Sequence, residues 1–456
     1  MMIDDTIIAI STPLGYGGLG IVRLSGKKSL SIAKKLFKPK KAKAKILPRR
    51  PLLGNLYNFE QKEFFEEGYL TYFPQPYTYT REDVVEISCH GSPVLLEEII
   101  RLGIKAGARH AKPGEFTLRA YLNGRIDILQ AEAVNDLIQA ASLKQAKISF
   151  NQLEGSLSSQ ILSLRQKIVN LVSQIEASLE FPEENLRISP LKITNSMDKT
   201  LQTINKLVES YKLGRILREG LKLAITGRAN VGKSTLFNAL LQQERAIVTP
   251  YPGTTRDYLQ ETLKIKEAIF SLVDMAGLTR SSHPVEREGI RRGKKLLAQA
   301  DGILLLFDTS RPETSEDLKL LSQYKTKKPV IIFNKIDLPS KINKNKILNQ
   351  ARGVHYLEIS ALKGTNVEAL KDLIYKIFVP DQDQEQEAIL HLHQKLLLEK
   401  IANCLTSARN MLHQGYSEEF YVEEIRKAIS LMGQLTGEIK AEEIIDNIFS
   451  RFCVGK

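Results

Sequence analysis

The sequence predicts a multidomain protein of mixed α+β and α/β class, with an N-terminal α+β domain, a helical domain and an inserted, doubly wound α/β domain. Three observations predict this class. Strand-like runs surround a glycine-rich turn near the start, apolar residues recur every three or four positions in two separate stretches, and strand-like and helix-like runs alternate between those stretches. A chain of 456 residues has room for about two to four domains.

The N-terminal stretch, residues 1–123, is expected to form the α+β domain. A glycine-rich turn separates two strand-like runs, and a third such run precedes a helix-like segment. The turn is predicted at Gly15–Gly20, the strands at Thr6–Ile10, Ile21–Leu24 and Val84–Ser88, and the helix at Pro93–Ile104.

Two helical stretches follow, residues 124–217 and residues 380–456. Their apolar residues are spaced by three or four positions, which indicates amphipathic helices. Because each stretch leaves an apolar stripe that must be covered, we predict that the two pack together as one helical domain, with residues 218–379 inserted between them. The spaced positions are Leu153, Leu157, Ile161, Leu164, Ile168, Leu171 and Ile175 in the first stretch, and Ile389, Leu392, Leu396, Ile401 and Leu405 in the second.

The inserted stretch opens with a phosphate-binding loop. Gly227–Ser234 reads GRANVGKS and lies between the strand-like run Leu221–Thr226 and a helix-like run. The glycines of such a loop let backbone N–H groups approach the phosphates. Lys233 is expected to reach the β and γ oxygens, and the Ser234 hydroxyl to bind Mg²⁺.

Further guanine-nucleotide motifs follow in the order found in GTP hydrolases. Thr255 offers a hydroxyl to Mg²⁺ and a backbone N–H to the γ-phosphate. Asn334–Asp337, taken alone, equally fits an ordinary strand-to-loop turn, but behind a phosphate loop its carboxylate is expected to accept the N1 and N2 hydrogens of guanine. The predicted GTP-binding residues are Asn230, Val231, Gly232, Lys233, Ser234, Thr235, Thr249, Pro250, Tyr251, Pro252, Gly253, Thr254, Thr255, Asp274, Met275, Ala276, Gly277, Asn334, Lys335, Ile336, Asp337, Ser360, Ala361 and Leu362.

These motifs alternate with apolar strand-like runs, so the insert is predicted to be a Ras-like, doubly wound α/β domain that hydrolyses GTP. Its strands are expected at Ile269–Val273, Gly302–Phe307, Val330–Phe333 and Tyr356–Ile359.

The hydrolytic machinery departs from the commonest scheme. Leu278 stands where many GTP hydrolases carry a glutamine that orients water. Glu286 is the acidic candidate for that task, and the alternative is that it is an exposed charge at a helix end. Asn230 and the backbone carbonyls of Thr249–Thr254 are candidates to hold a monovalent cation beside the phosphates.

Composition limits the other classes of function. The net charge of +13 suggests an acidic partner such as RNA, and the basic run Lys38–Arg50 is either part of that interface or a solvated surface loop. The cysteines Cys89, Cys404 and Cys453 have no spacing that suggests a disulfide framework or a zinc site. We see neither a membrane span nor a signal peptide in the sequence, and we expect a cytoplasmic protein.

Motifs along nearly the whole chain resemble the family of tRNA modification GTPases MnmE, also called TrmE. Other GTP hydrolases share the central motifs but not the two ends. The resemblance rests on Asp5–Ala9, Thr12–Pro13, Gly17–Arg23, Ser25–Gly26, Thr80–Val84, His90–Gly91, Pro113–Thr117, Arg119–Asn123, Gln130–Ala133, Gly253–Asp257 and Phe449–Lys456.

The resemblance implies that the protein works with a flavin-containing partner of the MnmG (GidA) type in a heterotetramer. Together they would add an aminomethyl or carboxymethylaminomethyl group to C5 of the wobble uridine, position 34, of certain tRNAs. The one-carbon donor would be a reduced folate, either 5,10-methylene- or 5-formyl-tetrahydrofolate. The family also forms homodimers through its N-terminal domains, and its GTP hydrolysis depends on K⁺.

The resemblance also implies roles for individual residues. Those matching the folate site are Arg23, Glu82, Arg125 and Lys456; those matching the K⁺ site are Asn230, Thr249, Tyr251 and Thr254; and those matching the Mg²⁺ site are Ser234 and Thr255. Glu286 matches the catalytic acid. The domains implied are 1–123 for folate binding and dimerisation, 124–217 and 380–456 for the helical domain, and 218–379 for the GTPase domain.

Cys453 is the second catalytic candidate. The preceding apolar positions Ile444, Ile445, Ile448, Phe449 and Phe452 are typical of an amphipathic helix that would leave the Cys453–Lys456 tail projecting. A free cysteine is usually a small buried hydrophobe, whereas the resemblance implies a thiol that attacks a pyrimidine or positions the substrate. Two alternative functions stay open: a ribosome-assembly or RNA-binding GTPase switch, and a stand-alone nucleotide-dependent interaction protein.

Overall fold

A computed structural model describes residues 5–41, 43–181, 188–241, 260–274, 300–351, 353–379, 388–438, 448–450, 452 and 454–455. The chain divides into two compact units. Unit 1 comprises residues 1–138, 149–202 and 400–456, and unit 2 comprises residues 139–148 and 203–399. Among the described residues, no helix combines the length and the apolar character needed to cross a membrane.

Unit 1 contains a seven-stranded sheet in the order β3-β4-β5-β6-β2-β1-β7. Neighbouring strands are antiparallel except β1 and β7, which are parallel. Helices α1 and α2 pack on one face, where Ile8, Leu24, Ile87 and Ile99 are fully buried. The elements are β1 (Ile7–Ile10), β2 (Gly17–Ser25), α1 (Ser29–Leu36), β3 (Phe37–Pro39), β4 (Leu52–Asn58), β5 (Glu63–Phe73), β6 (Val84–Gly91), α2 (Pro93–Lys105) and β7 (Arg109–His110).

The predicted glycine-rich turn is partly wrong. β2 already begins at Gly17, and its register against β6 shifts between Gly17 and Gly20. A side chain at Gly20 would clash with Leu96, since a Cβ there would lie 2.8 Å from the Leu96 methyl carbons. Residues 17–20 are therefore part of an irregular strand, and Gly20 lets the helix that carries Leu96 approach it.

The helices of unit 1 confirm the predicted helical periodicity. Along α6 the predicted positions Leu157, Ile161, Leu164, Ile168, Leu171 and Ile175 are all buried. α6 packs against α13, which comes from the far end of the chain, and the Arg426 guanidinium pairs with the Glu176 carboxylate across this contact at 2.7 Å. The helices of this group are α3 (Glu115–Leu122), α4 (Ile128–Ile138), α6 (Ser156–Glu180) and α13 (Glu418–Thr436).

Unit 2 contains a six-stranded sheet in the order β13-β12-β11-β8-β10-β9. All neighbouring pairs are parallel except β10 and β9. β8 lies between β10 and β11, so the parallel strands that come later in the chain are added on both sides of it. The order of the strands therefore reverses at β8, where a doubly wound sheet binds its ligand beyond the carboxyl ends. The predicted class, with helical and α/β parts as expected, is confirmed.

The elements of unit 2 are β8 (Leu221–Gly227), α8 (Lys233–Leu241), β9 (Gln260–Ile265), β10 (Ala268–Asp274), β11 (Gly302–Asp308), α9 (Ser315–Tyr324), a 3-10 turn (Lys325–Lys327), β12 (Val330–Asn334), α10 (Lys344–Gln350), β13 (Tyr356–Ile359) and α11 (Val367–Phe378). The division between the units falls within three further helices, α5 (Leu143–Leu153), α7 (Pro190–Glu219) and α12 (Leu392–His413). Strand β9 was not predicted. Two predicted stripe positions of α12, Leu392 and Leu396, are exposed rather than buried.

Candidate functional site

The phosphate-binding loop connects β8 to α8. Gly227 and Gly232 have φ angles of +149° and +97°, which favour glycine. A Cβ on Gly232 would lie 2.3 Å from Nδ2 of Asn334, so the close approach of these two segments also requires a glycine. The Lys233 ammonium donates to the carbonyls of Gly227 at 2.9 Å and Arg228 at 2.7 Å, which places it inside the loop.

Two hydroxyl residues occupy the first turn of α8. Ser234 and Thr235 are both exposed, directly after the buried Lys233. The free N–H groups and the positive end of the dipole of such a helix face an anion bound in the loop. An exposed hydroxyl beside that anion is a hard oxygen ligand of the kind that Mg²⁺ prefers.

Asn334, at the end of β12, joins three loops. Its Nδ2 donates to the Val231 carbonyl at 2.9 Å, and its Oδ1 accepts from the Ala361 N–H at 3.0 Å. Its backbone carbonyl accepts from both the N–H and the hydroxyl of Thr309. Asn334 is 2% exposed, so these bonds are shielded from water. The side chain therefore connects the phosphate loop to the loop that follows β13.

Lys335 forms a second connection to the phosphate loop. Its ammonium donates to the backbone carbonyl of Asn230 at 2.8 Å and to Oδ2 of Asp308 at 2.6 Å. Asn230 and Lys335 both have left-handed backbones, with φ angles of +63° and +68°. This conformation is unfavourable for a residue with a Cβ, so the surrounding bonds must hold it.

Asp308 was not predicted as a site residue. Burial alone raises its pKa, but hydrogen bonds from Lys335 and Ser310 hold the pKa of this carboxyl below its usual value. The available sequence signal was its place at the end of the fully buried strand β11. In the sheet Asp308 is paired with Asn334, which could not be read from the sequence.

The Asp337 carboxylate is held by a serine hydroxyl. Oδ1 accepts from the Ser360 hydroxyl at 2.6 Å, and this bond lowers the pKa of the Asp337 carboxyl. The Ser360 hydroxyl in turn accepts from the Lys363 N–H at 3.2 Å. The Asp337 carboxylate is thus oriented and ionised at neutral pH, and it retains acceptor capacity for the two N–H groups of guanine. Leu362 beside it is 79% exposed.

Several predicted site residues lie outside the described residues. The backbone of Asp274 ends β10, but its side chain is not described. The others are Thr249, Pro250, Tyr251, Pro252, Gly253, Thr254, Thr255, Met275, Ala276, Gly277, Glu286, Cys453 and Lys456.

Unit 1 contains a cavity of about 480 Å³ beside β2 and β6. Of the predicted folate residues, Arg23 and Arg125 line it. The Arg125 guanidinium lies 4.8 Å from the ring centre of Tyr79 and donates to the Tyr79 carbonyl. The Arg23 guanidinium pairs with the Glu86 carboxylate at 2.7 Å. The remaining lining residues are Phe73, Pro76, Tyr77, Thr78, Arg81 and Val84.

Glu82 does not line this cavity. Its carboxylate accepts from the Ser25 hydroxyl at 2.7 Å and pairs with the Arg119 guanidinium at 3.1 Å. Arg119 is 1% exposed and also pairs with Asp5 and Glu115. Burial alone lowers the pKa of Arg119, and these carboxylates, Glu82 foremost, keep that pKa raised. Sequence reasoning missed this buried network, and it missed Glu86 and Tyr79 as cavity residues.

The end of the chain packs on the sheet of unit 1. Phe449 and Phe452 are buried, and their rings lie 5.4 Å apart. The Ser11 hydroxyl donates to the Gly455 carbonyl at 3.4 Å, and Gly455 has a φ angle of +97°. Because Ser11 follows β1, whose neighbour β2 carries Arg23, Gly455 lies near the strand that forms one wall of the cavity.

Two family models match the chain. The model described as the MnmE helical domain matches residues 128–453, and the model described as the GTP-binding protein TrmE N-terminus matches residues 6–125. The first range includes the sheet of unit 2.

Full-length relatives are similar to this chain. A protein from Aquifex aeolicus named tRNA modification GTPase MnmE is 41% identical over 454 residues, which cover 99% of this chain and 100% of the relative. A protein of the same name from Lactococcus lactis is 41% identical over 457 residues, which cover 99% and 98%.

Solved structures cover shorter parts of the chain. A crystal structure of an Aquifex aeolicus Era variant bound to GDP.AlF4- covers 40% of this chain and 66% of its own, with 26% identity and a TM-score of 0.28. The G domain of the T. maritima FeoB iron transporter covers 34% and 97%, with 28% identity and a TM-score of 0.26.

Proposed function

This chain belongs to the family of tRNA modification GTPases MnmE, and on that premise we propose that it is a potassium-dependent GTP hydrolase that modifies tRNA with an MnmG-type flavoprotein. The pair adds an aminomethyl or carboxymethylaminomethyl group to C5 of the wobble uridine, with a reduced folate as the one-carbon donor. The protein acts in the cytoplasm, as a homodimer within a heterotetramer.

The observation that carries this proposal is the set of hydrogen bonds around Asn334, which the structure shows in a chain whose relatives named MnmE match it over its full length. Asn334 links the phosphate loop at Val231 to the loop at Ala361, and Ser360 orients the Asp337 carboxylate. Through this one buried side chain, phosphate binding would be coupled to guanine recognition. Such coupling suits a protein whose nucleotide state controls another reaction.

The phosphate site suits two cations. Ser234, with Thr255, would hold Mg²⁺, which offsets charge on the transferred phosphoryl group. Asn230, with Thr249, Tyr251 and Thr254, would hold K⁺. The exposed Asn230 suits this role because its backbone carbonyl accepts from Lys335, which fixes the residue within the phosphate loop. Glu286 would orient the attacking water.

The cavity of unit 1 suits a folate. Its volume of about 480 Å³ is typical of small-molecule sites, and the guanidinium groups of Arg23 and Arg125 suit the carboxylates of a folate tail. The Tyr79 ring offers a flat surface to a heterocycle. Lys456 would approach with the tail of the chain. Glu82 does not line the cavity, but 19% of its side chain is exposed to solvent beside its bond to Arg119, and it stays a proposed folate contact.

Cys453 would act near this cavity. Support comes from the described residues on either side of it: Phe452 is buried, and the Gly455 carbonyl accepts from the Ser11 hydroxyl. The proposed role is attack on the pyrimidine or positioning of the substrate.

Mass spectrometry of tRNA nucleosides from a strain that lacks the gene tests the proposal. We expect the modified wobble uridine to disappear and to return with the wild-type gene, but not with Lys233→Ala, which removes the phosphate-binding ammonium. Normal wobble uridines together with immature ribosomal subunits would instead support a ribosome-assembly switch.

A further inference from the structure

A run of basic side chains in unit 1 has no acidic partners among the described residues. Lys41, Lys43, Lys45 and Arg50 are all exposed, and none of them forms an ion pair with any residue that the structure describes. Lys40, in contrast, pairs with Glu67. We call residues 41–50 the basic segment. Four uncompensated cations within ten residues give this surface a strong positive field.

The basic segment is anchored and does not project freely. The Ile46 side chain packs against the core of unit 1, and the Arg49 N–H donates to the Tyr72 carbonyl of β5 at 2.7 Å. Arg49 has a left-handed backbone with a φ angle of +57°, a conformation that its surroundings must hold. The positive charges are therefore presented from a defined place at the end of β5.

This place adjoins the cavity through Tyr77. The Arg49 guanidinium donates to the Tyr77 carbonyl at 3.1 Å, and Tyr77 itself lines the cavity. The Tyr77 side chain is 81% exposed, so its ring is open to solvent. Two further cavity residues, Arg81 and Arg125, donate to the backbone carbonyls of Asn123 and Tyr79. An open aromatic ring thus lies between a basic surface and a cationic cavity.

RNA loops are bound by this combination of groups. Lysine and arginine side chains neutralise phosphates, and exposed aromatic rings stack on bases that have left the helical stack. Chemistry on a base also requires that the base be turned out of its stack. The sequence did not reveal this arrangement, because Tyr77 lies 28 residues from Arg49.

We propose that the basic segment and Tyr77 form the surface that binds the anticodon stem-loop of tRNA. The basic segment holds backbone phosphates, and Tyr77 stacks on the wobble base at the mouth of the folate cavity. This inference rests on the proposed function and assigns the site at which that function receives its RNA.

The test compares two full-length charge variants. The first replaces Lys41, Lys43, Lys45 and Arg50 by alanine; the second replaces four exposed lysines of unit 2, Lys325, Lys327, Lys328 and Lys341, and so has the same net charge. Binding of a transcribed tRNA and of its isolated anticodon stem-loop is measured against salt concentration. Since each lost phosphate contact lowers the slope of log affinity against log salt by roughly 0.7–0.9, the first variant should lower it by about 3 and the second by little.

Tyr77 is tested separately. Tyr77→Ala should weaken binding of the stem-loop roughly tenfold without changing the salt slope, and Tyr77→Phe should bind as the wild type does. GTP hydrolysis, which takes place in unit 2, should be unchanged in every variant, and the circular dichroism spectrum and urea midpoint of each variant should match those of the wild type, which shows that unit 1 is folded.

The inference is overturned if the first variant binds tRNA with wild-type affinity and salt slope, or if both charge variants lose the same amount of tRNA affinity. It is also overturned if the first variant loses affinity only for the flavoprotein or for anionic lipid vesicles. Failure of the proposed function is recognised differently, by normal wobble uridines in the deletion strain.

Discussion

Replacing Asn334 by alanine removes the side chain that joins the phosphate loop to the loop after β13. The change leaves two backbone groups without partners, the carbonyl of Val231 and the N–H of Ala361. Both residues are 4% exposed, so water does not readily replace the lost bonds. An unpaired buried backbone group costs about 1–3 kcal/mol, and local relaxation reduces the sum to about 2–4 kcal/mol.

This cost is shared between folding and nucleotide binding. If the loops relax without nucleotide, the full cost appears in binding, as a loss of affinity for GDP between about 30-fold and about 10³-fold. If the loops do not relax, part of the free-energy cost appears as a lower urea midpoint of unfolding. We therefore measure both quantities, the affinity by titration of a fluorescent guanine nucleotide and the stability by circular dichroism.

Asn343→Ala is the matched control. The Asn343 side chain caps α10 by accepting from the Lys346 N–H at 3.1 Å, so its loss should cost about 1 kcal/mol of stability and leave nucleotide affinity unchanged. Asn334→Asp should be as damaging as Asn334→Ala, because a carboxylate oxygen would then face the Val231 carbonyl. An Asn334→Ala protein whose affinity and stability both match those of Asn343→Ala would refute the reasoning.

Four other outcomes are expected. Asp337→Asn should move the preference from guanine toward xanthine nucleotides, because the amide reverses one hydrogen bond, and competition binding that still favours GTP at wild-type strength would contradict this. GTP hydrolysis should be fast in K⁺, Rb⁺ or ammonium and slow in Na⁺, and Asn230→Ala should remove most of this difference between the ions; equal wild-type rates in Na⁺ and K⁺ would exclude the cation site. Glu286→Ala should slow turnover roughly 10²-fold or more, with little change in nucleotide affinity. Asp308→Asn should lower GDP affinity by releasing the Lys335 ammonium that holds the phosphate loop. Since the pKa of Asp308 is lowered in the folded chain, the stability that its carboxylate contributes should be present above the ordinary carboxyl pKa and be lost as the pH falls through the lowered value. A pH profile of stability shared by wild type and variant would contradict this prediction. Cys453→Ser should abolish wobble-uridine modification and leave folding, dimerisation and potassium-stimulated hydrolysis near normal; full modification would show that the thiol has no essential role, and loss of hydrolysis would make it structural.

The phosphate loop could be predicted because its chemistry is local. Glycines, a lysine and a hydroxyl within Gly227–Ser234 define a loop whatever surrounds it. The partners of that loop could not be predicted in the same way. Val231 and Asn334 lie 103 residues apart, and Asp308 meets Lys335 only because β11 and β12 are neighbours in register.

The strands of the N-terminal sheet show a second limit. β5 (Glu63–Phe73) was not predicted, because its first five residues alternate poorly between buried and exposed and several of them are charged. Without β5 and the segment that follows it, Tyr77 and Tyr79 had no place beside Arg23. Glu82 shows the same limit: its motif matches a folate site, but the sequence did not reveal its bond to the buried Arg119, 37 residues away.

Transfer of an isotope label to tRNA tests the central claim most directly. The purified chain is combined with an MnmG-type flavoprotein, GTP, K⁺, Mg²⁺, an undermodified tRNA, ammonium or glycine as the source of the amine, and tetrahydrofolate that carries ¹³C in its one-carbon unit. We predict that mass spectrometry will find the ¹³C on the C5 substituent of the wobble uridine, and that Lys233→Ala will abolish this transfer. A modified uridine without the label would contradict the folate assignment, and an unmodified uridine despite normal GTP hydrolysis would contradict the proposed function itself.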